Sequence, residues 1–386
     1  MTTNVIFSFF AGWLVGKIMD WGWKKTKGLV KMNVIKYRLN KRKKSDKSNY
    51  TPHISILVES IENFDVSKNI QICMSDHTFL LATPREIVEH YPETFSYHSS
   101  TDKWLPNCAP KELERLFNLP DISKLIDDCK KIVTDDFLYR KEGCYYNNFL
   151  YGIMSSDYYG RTCDTHELPI LTLNFYKTDY FTHRVMWQLI QQLRNMEKLP
   201  NVLLYEDQLN DVYRSFRTSL GVSLIAILPA TNEIVLTKRS KNSAYGEGKE
   251  WIYVSVTETI SETDFDDTNN KLELNVKKWI KRGLNEELGL IDNSEHYNTD
   301  SIRIYDMFFE NYFYQDGLTA SIELSRNMNI EQIRALPAKD KKLETKEIFT
   351  IPNTRQSIEK FIQENANDMR EQTIFALQSY KLRLMH

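Results

Sequence analysis

Apolar residues fall into three regimes along this chain. Near the N-terminus they run together: residues 5–16 read VIFSFFAGWLVG, without a charge. From about residue 50 to 205, short apolar runs alternate with helical spacing. HISILVES and THELPILTLNFY are rich in β-branched and aromatic residues and predict strands. REIVEHY, PKELERLF and DISKLIDDCKKIV place apolar residues three and four apart and predict helices, the last entered with Asp121 as its cap. Another amphipathic helix is expected over residues 185–199. Past residue 218 the apolar runs lengthen. GVSLIAIL (221–228) and EIVLTKRS (233–240) predict a hairpin around Pro229-Ala230-Thr231-Asn232, and residues 251–256 a further strand. A polar insertion over residues 258–270 precedes a helix from about Leu272. Val276, Trp279, Ile280, Leu284 and Leu288 mark its apolar face, and Gly289 stands where a glycine ends a helix. Residues 302–324 are strand-rich. The pattern predicts an α/β (α+β) chain: a mixed α/β segment over 50–205 and a second α/β domain over 206–386.

The first regime reads as a transmembrane helix. Extending it through Lys17 to Trp23 makes residues 1–23 a membrane segment whose 19 residues from Val5 would span about 28 Å as a helix. Lys17 can snorkel and pair with Asp20, and Trp21 and Trp23 suit the interfacial aromatic belt. Lysines and arginines crowd residues 24–49, a basic juxtamembrane linker: Lys24, Lys25, Lys27, Lys31, Lys36, Arg38, Lys41, Arg42, Lys43, Lys44 and Lys47. The positive-inside bias then keeps the C-terminal part cytoplasmic, on a single-pass inner-membrane anchor. A cleaved signal peptide is the competing reading, but its charges should precede the apolar run, and here they follow it. Gly12 and Gly16 form GxxxG, which brings both glycines to one helix face and permits close helix packing; a lone helix would show the same pair.

Composition adds constraints. Apolar content of 41% and charged content of 26% are ordinary for a globular protein, and the net charge of −2 selects no partner; no DNA binding is expected. The five cysteines include no CxxC pair, which speaks against a disulfide framework or structural zinc and for a reducing compartment. The eight histidines form no HExxH. Between a predicted strand and helix, residues 177–184 (KTDYFTHR) mix polar and aromatic groups; they read either as a pocket-lining loop or as a helix N-cap by Thr178 or Asp179 with buried aromatics.

The most specific pattern is Arg282-Gly283-Leu284-Asn285-Glu286-Glu287-Leu288-Gly289-Leu290. It resembles the second half of the Nudix box, Arg-Glu-apolar-x-Glu-Glu-x-Gly-apolar. The resemblance implies a Nudix-like αβα sandwich over roughly residues 215–385. In that family the box glutamates bind magnesium, which would make Glu286 and Glu287 metal ligands, with Arg282 tethering them. Oxygen donors of this kind suit that ion. Two departures stand out. Gly283 occupies the position of the glutamate after the arginine, and the front half of the box is absent in register, because the insertion displaces Glu258 and Glu262; Glu273 is a substitute one residue out of register. A site short of a metal-binding carboxylate loses rate, so the expectation is a fold kept for binding, with no obligatory cofactor. Lys238 and Arg239 could meet phosphates. Trp251, Tyr253, Phe308, Phe309, Tyr312 and Tyr314 offer stacking surfaces, most of them expected in the core.

A membrane helix joined to a degenerate Nudix-like domain resembles the transmembrane-Nudix effectors of CBASS antiphage systems. That resemblance implies a cytoplasmic domain that senses a cyclic oligonucleotide, and a homo-oligomer that disrupts the inner membrane. A membrane-tethered, magnesium-dependent Nudix hydrolase and a non-catalytic interaction scaffold are the alternatives.

Overall fold

The computed structural model describes residues 53–384, apart from 65–69, 140–145, 160–169, 200–203, 242–249 and 269–270 and positions 91, 96, 205, 212, 294 and 340. The anchor expected over residues 1–23, with Gly12 and Gly16, and the basic linker over 24–49 lie outside the described residues. Among the described residues no helix is long and apolar enough to cross a membrane.

The fold is mixed α/β. Its strands are β1 (Ile54–Phe64), β2 (Ile70–Thr78), β3 (Phe149–Tyr159), β4 (Ile170–Asp179), β5 (Leu220–Leu228), β6 (Glu233–Arg239), β7 (Ile252–Val254), β8 (Val256–Thr259), β9 (Phe265–Thr268), β10 (Lys271–Leu274), β11 (Arg303–Glu310), β12 (Gln315–Glu323) and β13 (Thr345–Pro352). The main sheet runs β1-β11-β12-β5-β6-β13, with β7 added to β6 and β8 to β5. Its β12–β5 pair is parallel. A smaller sheet runs β2-β4-β3, and β9 and β10 form a separate hairpin.

The sheet's centre follows from β5. All nine of its residues are buried, as a strand covered on both faces requires. Successive side chains point to opposite faces. Val222, Leu224, Ala226 and Leu228 join a core with Trp279, Ile280, Leu284 and Leu288 from the helix Val276–Gly283 and the turn that continues it. Ile225 and Ile227 join a second core with Ile358, Ile362, Ile374 and Leu377, from the helices Arg355–Asn365 and Glu371–Arg383. Helices therefore cover both faces of the sheet.

The strand expected over residues 251–256 divides at Ser255. β7 pairs with β6 and β8 with β5. The Ser255 hydroxyl makes the switch possible: it donates to the Val235 carbonyl at 2.5 Å and accepts from the Ala226 amide at 2.7 Å, tying both parent strands. The helix expected from Leu272 starts later. Residues Lys271–Leu274 form β10, and the Asn275 side chain caps the helix by accepting from the Lys278 amide at 3.0 Å.

The segments 50–205 and 206–386 share one compact unit, Thr51–His386. β1 completes the main sheet against β11. The larger core runs from Leu171, Phe175 and Leu189 through to Leu224 and Trp279. The helix expected from residue 185 begins at Tyr180, because Asp179 caps it by accepting from the Thr182 amide at 2.7 Å. Of the two readings of residues 177–184, the cap with buried aromatics is the one observed: Phe181 is fully buried.

Arg217 holds the junction between the segments. Nε and Nη2 donate to the two Asp316 oxygens at 2.9 and 2.6 Å, and Nη1 donates to Asn210 at 2.6 Å. Both partners of the ion pair are 0% exposed. The Arg217 carbonyl accepts from Ile153 N–H and from the Tyr176 hydroxyl. Gly152 permits that crossing, since a Cβ there would lie 2.6 Å from this carbonyl. Removing one partner of a buried pair leaves an uncompensated charge, so Arg217→Met should destabilise the protein by about 3–5 kcal/mol, with Arg217→Met/Asp316→Leu less damaging than the single change. Urea denaturation of the three proteins checks this; equal losses in single and double variants would show that the pair's charge is not what matters.

Candidate functional site

The site grows from the end of the helix Val276–Gly283. Its last turn, Leu284–Leu288, widens into a π-turn and stops at Gly289, whose φ of 77° is left-handed. A Cβ at Gly289 would lie 2.4 Å from the Pro337 carbonyl oxygen, so both conformation and space call for glycine here. π-Turns recur at functional sites; this one sets Glu286 and Glu287 against two guanidiniums.

Arg282 binds four groups. It donates from Nε and Nη2 to the two Asp264 oxygens at 2.9 and 2.8 Å, from Nη2 to the Thr259 carbonyl at 2.7 Å, and from Nη1 to Glu286 at 3.0 Å. Glu258 lies 2.9 Å from the same Nη1. Arg239, at the end of β6, donates to Glu287 at 2.8 Å and also pairs with Glu344. The Glu287 oxygen that receives Arg239 accepts from the Thr257 amide at 3.2 Å, while its other oxygen is buried with no hydrogen-bond partner among the described residues. Lys339 reaches Glu286 at 3.3 Å.

Gly283 lies against β8. A Cβ there would stand 2.9 Å from Val256 Cγ1 and 3.0 Å from Glu258 Cβ. Val256 and Glu258, two apart on one strand, face the helix together. The space that a side chain at 283 would need therefore belongs to Glu258. That glutamate reaches the site because β8 pairs with β5.

Five carboxylates (Glu258, Asp264, Glu286, Glu287, Glu344) thus meet two guanidiniums and the Lys339 ammonium, leaving two negative charges in excess. Buried excess charge is relieved by protonation. Burial pushes the Glu287 carboxyl up to about 8 against the pull of Arg239, with Glu258 and Glu344 adding to the rise. Burial likewise pushes Glu258 up to about 7 against Arg282, with Glu286 and Asp264 adding.

The donors as arranged do not fit a divalent cation. Guanidiniums stand within 3 Å of both Glu286 and Glu287, and Gly283 supplies no oxygen. Among the described residues no group of three or more His, Cys, Asp or Glu has metal-ligand geometry. Glu273 lies on β10 before the helix, and its side chain is outside the described set.

The structure brings Arg239, Arg282, Glu286 and Glu287 together and adds Tyr253, whose ring lies 5.2 Å from the Arg239 guanidinium. Lys238 points elsewhere, 3.5 Å from Glu250. Trp251 is half-buried and touches the site through its backbone, its carbonyl accepting from the Arg239 amide at 2.8 Å. Phe308, Phe309 and Tyr314 are core residues. Sequence reasoning missed Asp264 and Glu344 as partners. The signal for Asp264 was the Ser-x-x-Asp capping box at Ser261, whose geometry the structure shows; Glu344 carried none.

No protein-family model matches this chain, and no curated protein matches it.

Two expectations follow. An alanine in place of a helical glycine usually stabilises by roughly 1 kcal/mol. Gly283→Ala should instead destabilise by about 1–3 kcal/mol, the cost of overpacking against β8; thermal melts of the variant decide the sign. Glu258 and Glu287 bind protons more tightly folded than unfolded, since their folded values of about 7 and 8 exceed the ordinary 4.5. Their stabilisation is complete below about pH 4.5 and is lost as pH rises towards 8. Urea midpoints across that window should fall for the parent and stay flatter for Glu287→Gln.

Proposed function

We propose that this chain is a membrane-anchored antiphage effector whose Nudix-like domain binds a cyclic oligonucleotide without cleaving it. Binding favours a homo-oligomer in which the N-terminal helices gather and disrupt the inner membrane. One observation carries the non-cleaving part: the box position of the missing glutamate is closed by Gly283 against β8, while Glu286 and Glu287 are held by hydrogen bonds from Arg282 and Arg239. Covalently fixed cations stand where hydrolysis would require exchangeable ones. A sheet covered by helices on both faces, with the helix that ends in Glu286-Glu287-Leu288-Gly289 packed against its centre, supports the Nudix-like reading. The half-box in the sequence, the apolar run at residues 5–23 and the basic residues after it support the effector reading. Arg282, at 18% side-chain exposure, is the guanidinium of the cluster nearer solvent and the one a phosphate would reach. An oligomer follows from binding only if the ligand prefers the assembled state.

A second reading has one observation behind it. Glu258 returns a carboxylate to the space beside Gly283, which a membrane-tethered magnesium-dependent hydrolase could use.

Full-length protein in lipid nanodiscs, titrated by calorimetry with cyclic di- and trinucleotides in the presence of magnesium, tests the proposal. The expected outcome is binding by at least one of them, with the nucleotide recovered intact. Recovery of linear or shortened product would favour the hydrolase. No heat across the panel would sink the sensor and leave a non-catalytic scaffold.

A further inference from the structure

A second cluster of buried charge lies where the end of β11 meets the start of the helix Glu371–Arg383. Glu310, the last residue of β11, is 0% exposed. Its Oε2 stands 3.5 Å from Arg370 Nη2, while its Oε1 is buried with no hydrogen-bond partner among the described residues. Glu371, the first residue of the helix, repeats the pattern. Its Oε1 lies 3.9 Å from His53 Nε2, and its Oε2 is buried with no hydrogen-bond partner among the described residues. A buried acceptor left without a donor is costly, and here two neighbouring carboxylates carry one each.

Arg370 divides its guanidinium among several groups. Besides the contact with Glu310, its Nη1 donates to the Tyr253 hydroxyl at 3.3 Å, and its plane lies over the Phe313 ring at 3.5 Å. Charge also reaches Glu310 from Glu371, from His53 just ahead of β1, and from Arg194 of the helix Tyr180–Asn195. Arg194 itself donates to the Tyr312 carbonyl, and the His53 side chain is 48% exposed, where an ion pair contributes little. Two desolvated carboxylates facing one shared guanidinium relieve their repulsion by binding a proton. Burial pushes Glu310 up to about 7 against the pull of Arg370, with Glu371 adding to the rise, and pushes Glu371 up to about 7 against the same arginine.

The two carboxylates differ in freedom. Glu310 sits in a strand paired on both sides, opposite Ile54 of β1 and Gln315 of β12. Glu371 sits at a helix start with 27% of its side chain exposed, and can turn to water. Met369, two residues earlier, bridges to Ile252 of β7 and ties this helix start to the main sheet.

We infer that Glu310 and Glu371 hold one proton between them, and that losing it unlatches the start of the helix Glu371–Arg383 from the main sheet. Glu371 then turns outward and the first turn of the helix opens. The opening touches the candidate site at Tyr253, which accepts from Arg370 and has its ring 5.2 Å from the Arg239 guanidinium. The proton is bound more tightly in the closed form, since the closed values of about 7 exceed the ordinary 4.5. The latch is therefore fully closed below about pH 4.5 and loosens as pH rises to about 7. Within that window, release of one proton changes the opening equilibrium by roughly tenfold per pH unit.

Hydrogen exchange read by mass spectrometry on full-length protein tests this, at about pH 5 and about pH 7 with intrinsic exchange rates divided out. In the parent, protection of the first turns of the helix Glu371–Arg383 should fall by about tenfold or more. In Glu371→Gln, whose amide stands in for the neutral acid, it should stay within about twofold, and Glu310→Gln should behave alike. The helix Val276–Gly283 is the reference, and its response to pH should be the same in all three proteins. Equal loss in the parent and in Glu371→Gln, or no loss in the parent, overturns the latch. A variant that also flattens the reference helix shows the proton acting on unfolding of the whole protein, which overturns it as well.

Discussion

A guanidinium taken out of water must meet a carboxylate, and several such meetings tie the described residues together. Arg217 binds Asp316, Arg239 binds Glu287, Arg282 binds Asp264, and Arg370 binds Glu310. Three of these pairs join residues 48 or more positions apart in sequence. Desolvating either partner alone is costly, and only the native arrangement returns the energy. Each pair therefore penalises arrangements that would separate its two charges. Arg217 shows the consequence. The parallel β12–β5 pair and the layer of β3 and β4 each find apolar partners easily, but one placement alone puts both Asp316 oxygens and the Asn210 side chain within reach of a single guanidinium.

Much of the fold was readable because it is local or periodic. The β5–β6 hairpin, the helices at Arg85–His90, Pro110–Phe117 and Ile122–Tyr139, and the glycine that ends the box helix all follow from spacing and turn chemistry. Reading failed where a distant partner decides the outcome. The break at Ser255 depends on the Ala226 and Val235 backbones, which no window around residue 255 contains. β10 replaces the first expected turn of the box helix because its pairing partner, β9, lies in what had looked like a featureless polar insertion. The junction of the two halves was invisible, since the Arg217 carbonyl meets the Ile153 amide and the Tyr176 hydroxyl, both far from it in sequence.

The candidate site divides in the same way. Arg282, Glu286 and Glu287 were legible from helical spacing: Arg282 and Glu286 are four apart on one face, and Glu287 turns inward. Arg239 was read as a phosphate contact, while the structure commits it to Glu287 and Glu344. Residue type alone cannot separate those roles, because a carboxylate and a phosphate ask the same geometry of a guanidinium. Glu258 was set aside for being out of register in sequence. Register within a box counts residues along one helix, whereas Glu258 arrives across the gap from β8, where its own methylenes fill the space left by Gly283.

An arginine beside a pair of carboxylates allows different chemistry from a divalent ion there. A divalent ion is bound reversibly and can polarise a phosphate while its carboxylate ligands stay in place. A guanidinium is tethered, never deprotonates at ordinary pH, and spends its donors on the carboxylates it neutralises. For Glu286 and Glu287 to hold magnesium, Arg282 and Arg239 would have to swing away. Arg239 is buried between Glu287 and Glu344 and beside Tyr253. Arg282 would also have to release Asp264, which is fully buried. The two excess negative charges do not alter this conclusion, because protons at Glu258 and Glu287 relieve them. The positive charge of the arrangement is built into the chain, and an anionic ligand at its edge would compete with Asp264, Glu258 and Glu286 for Arg282.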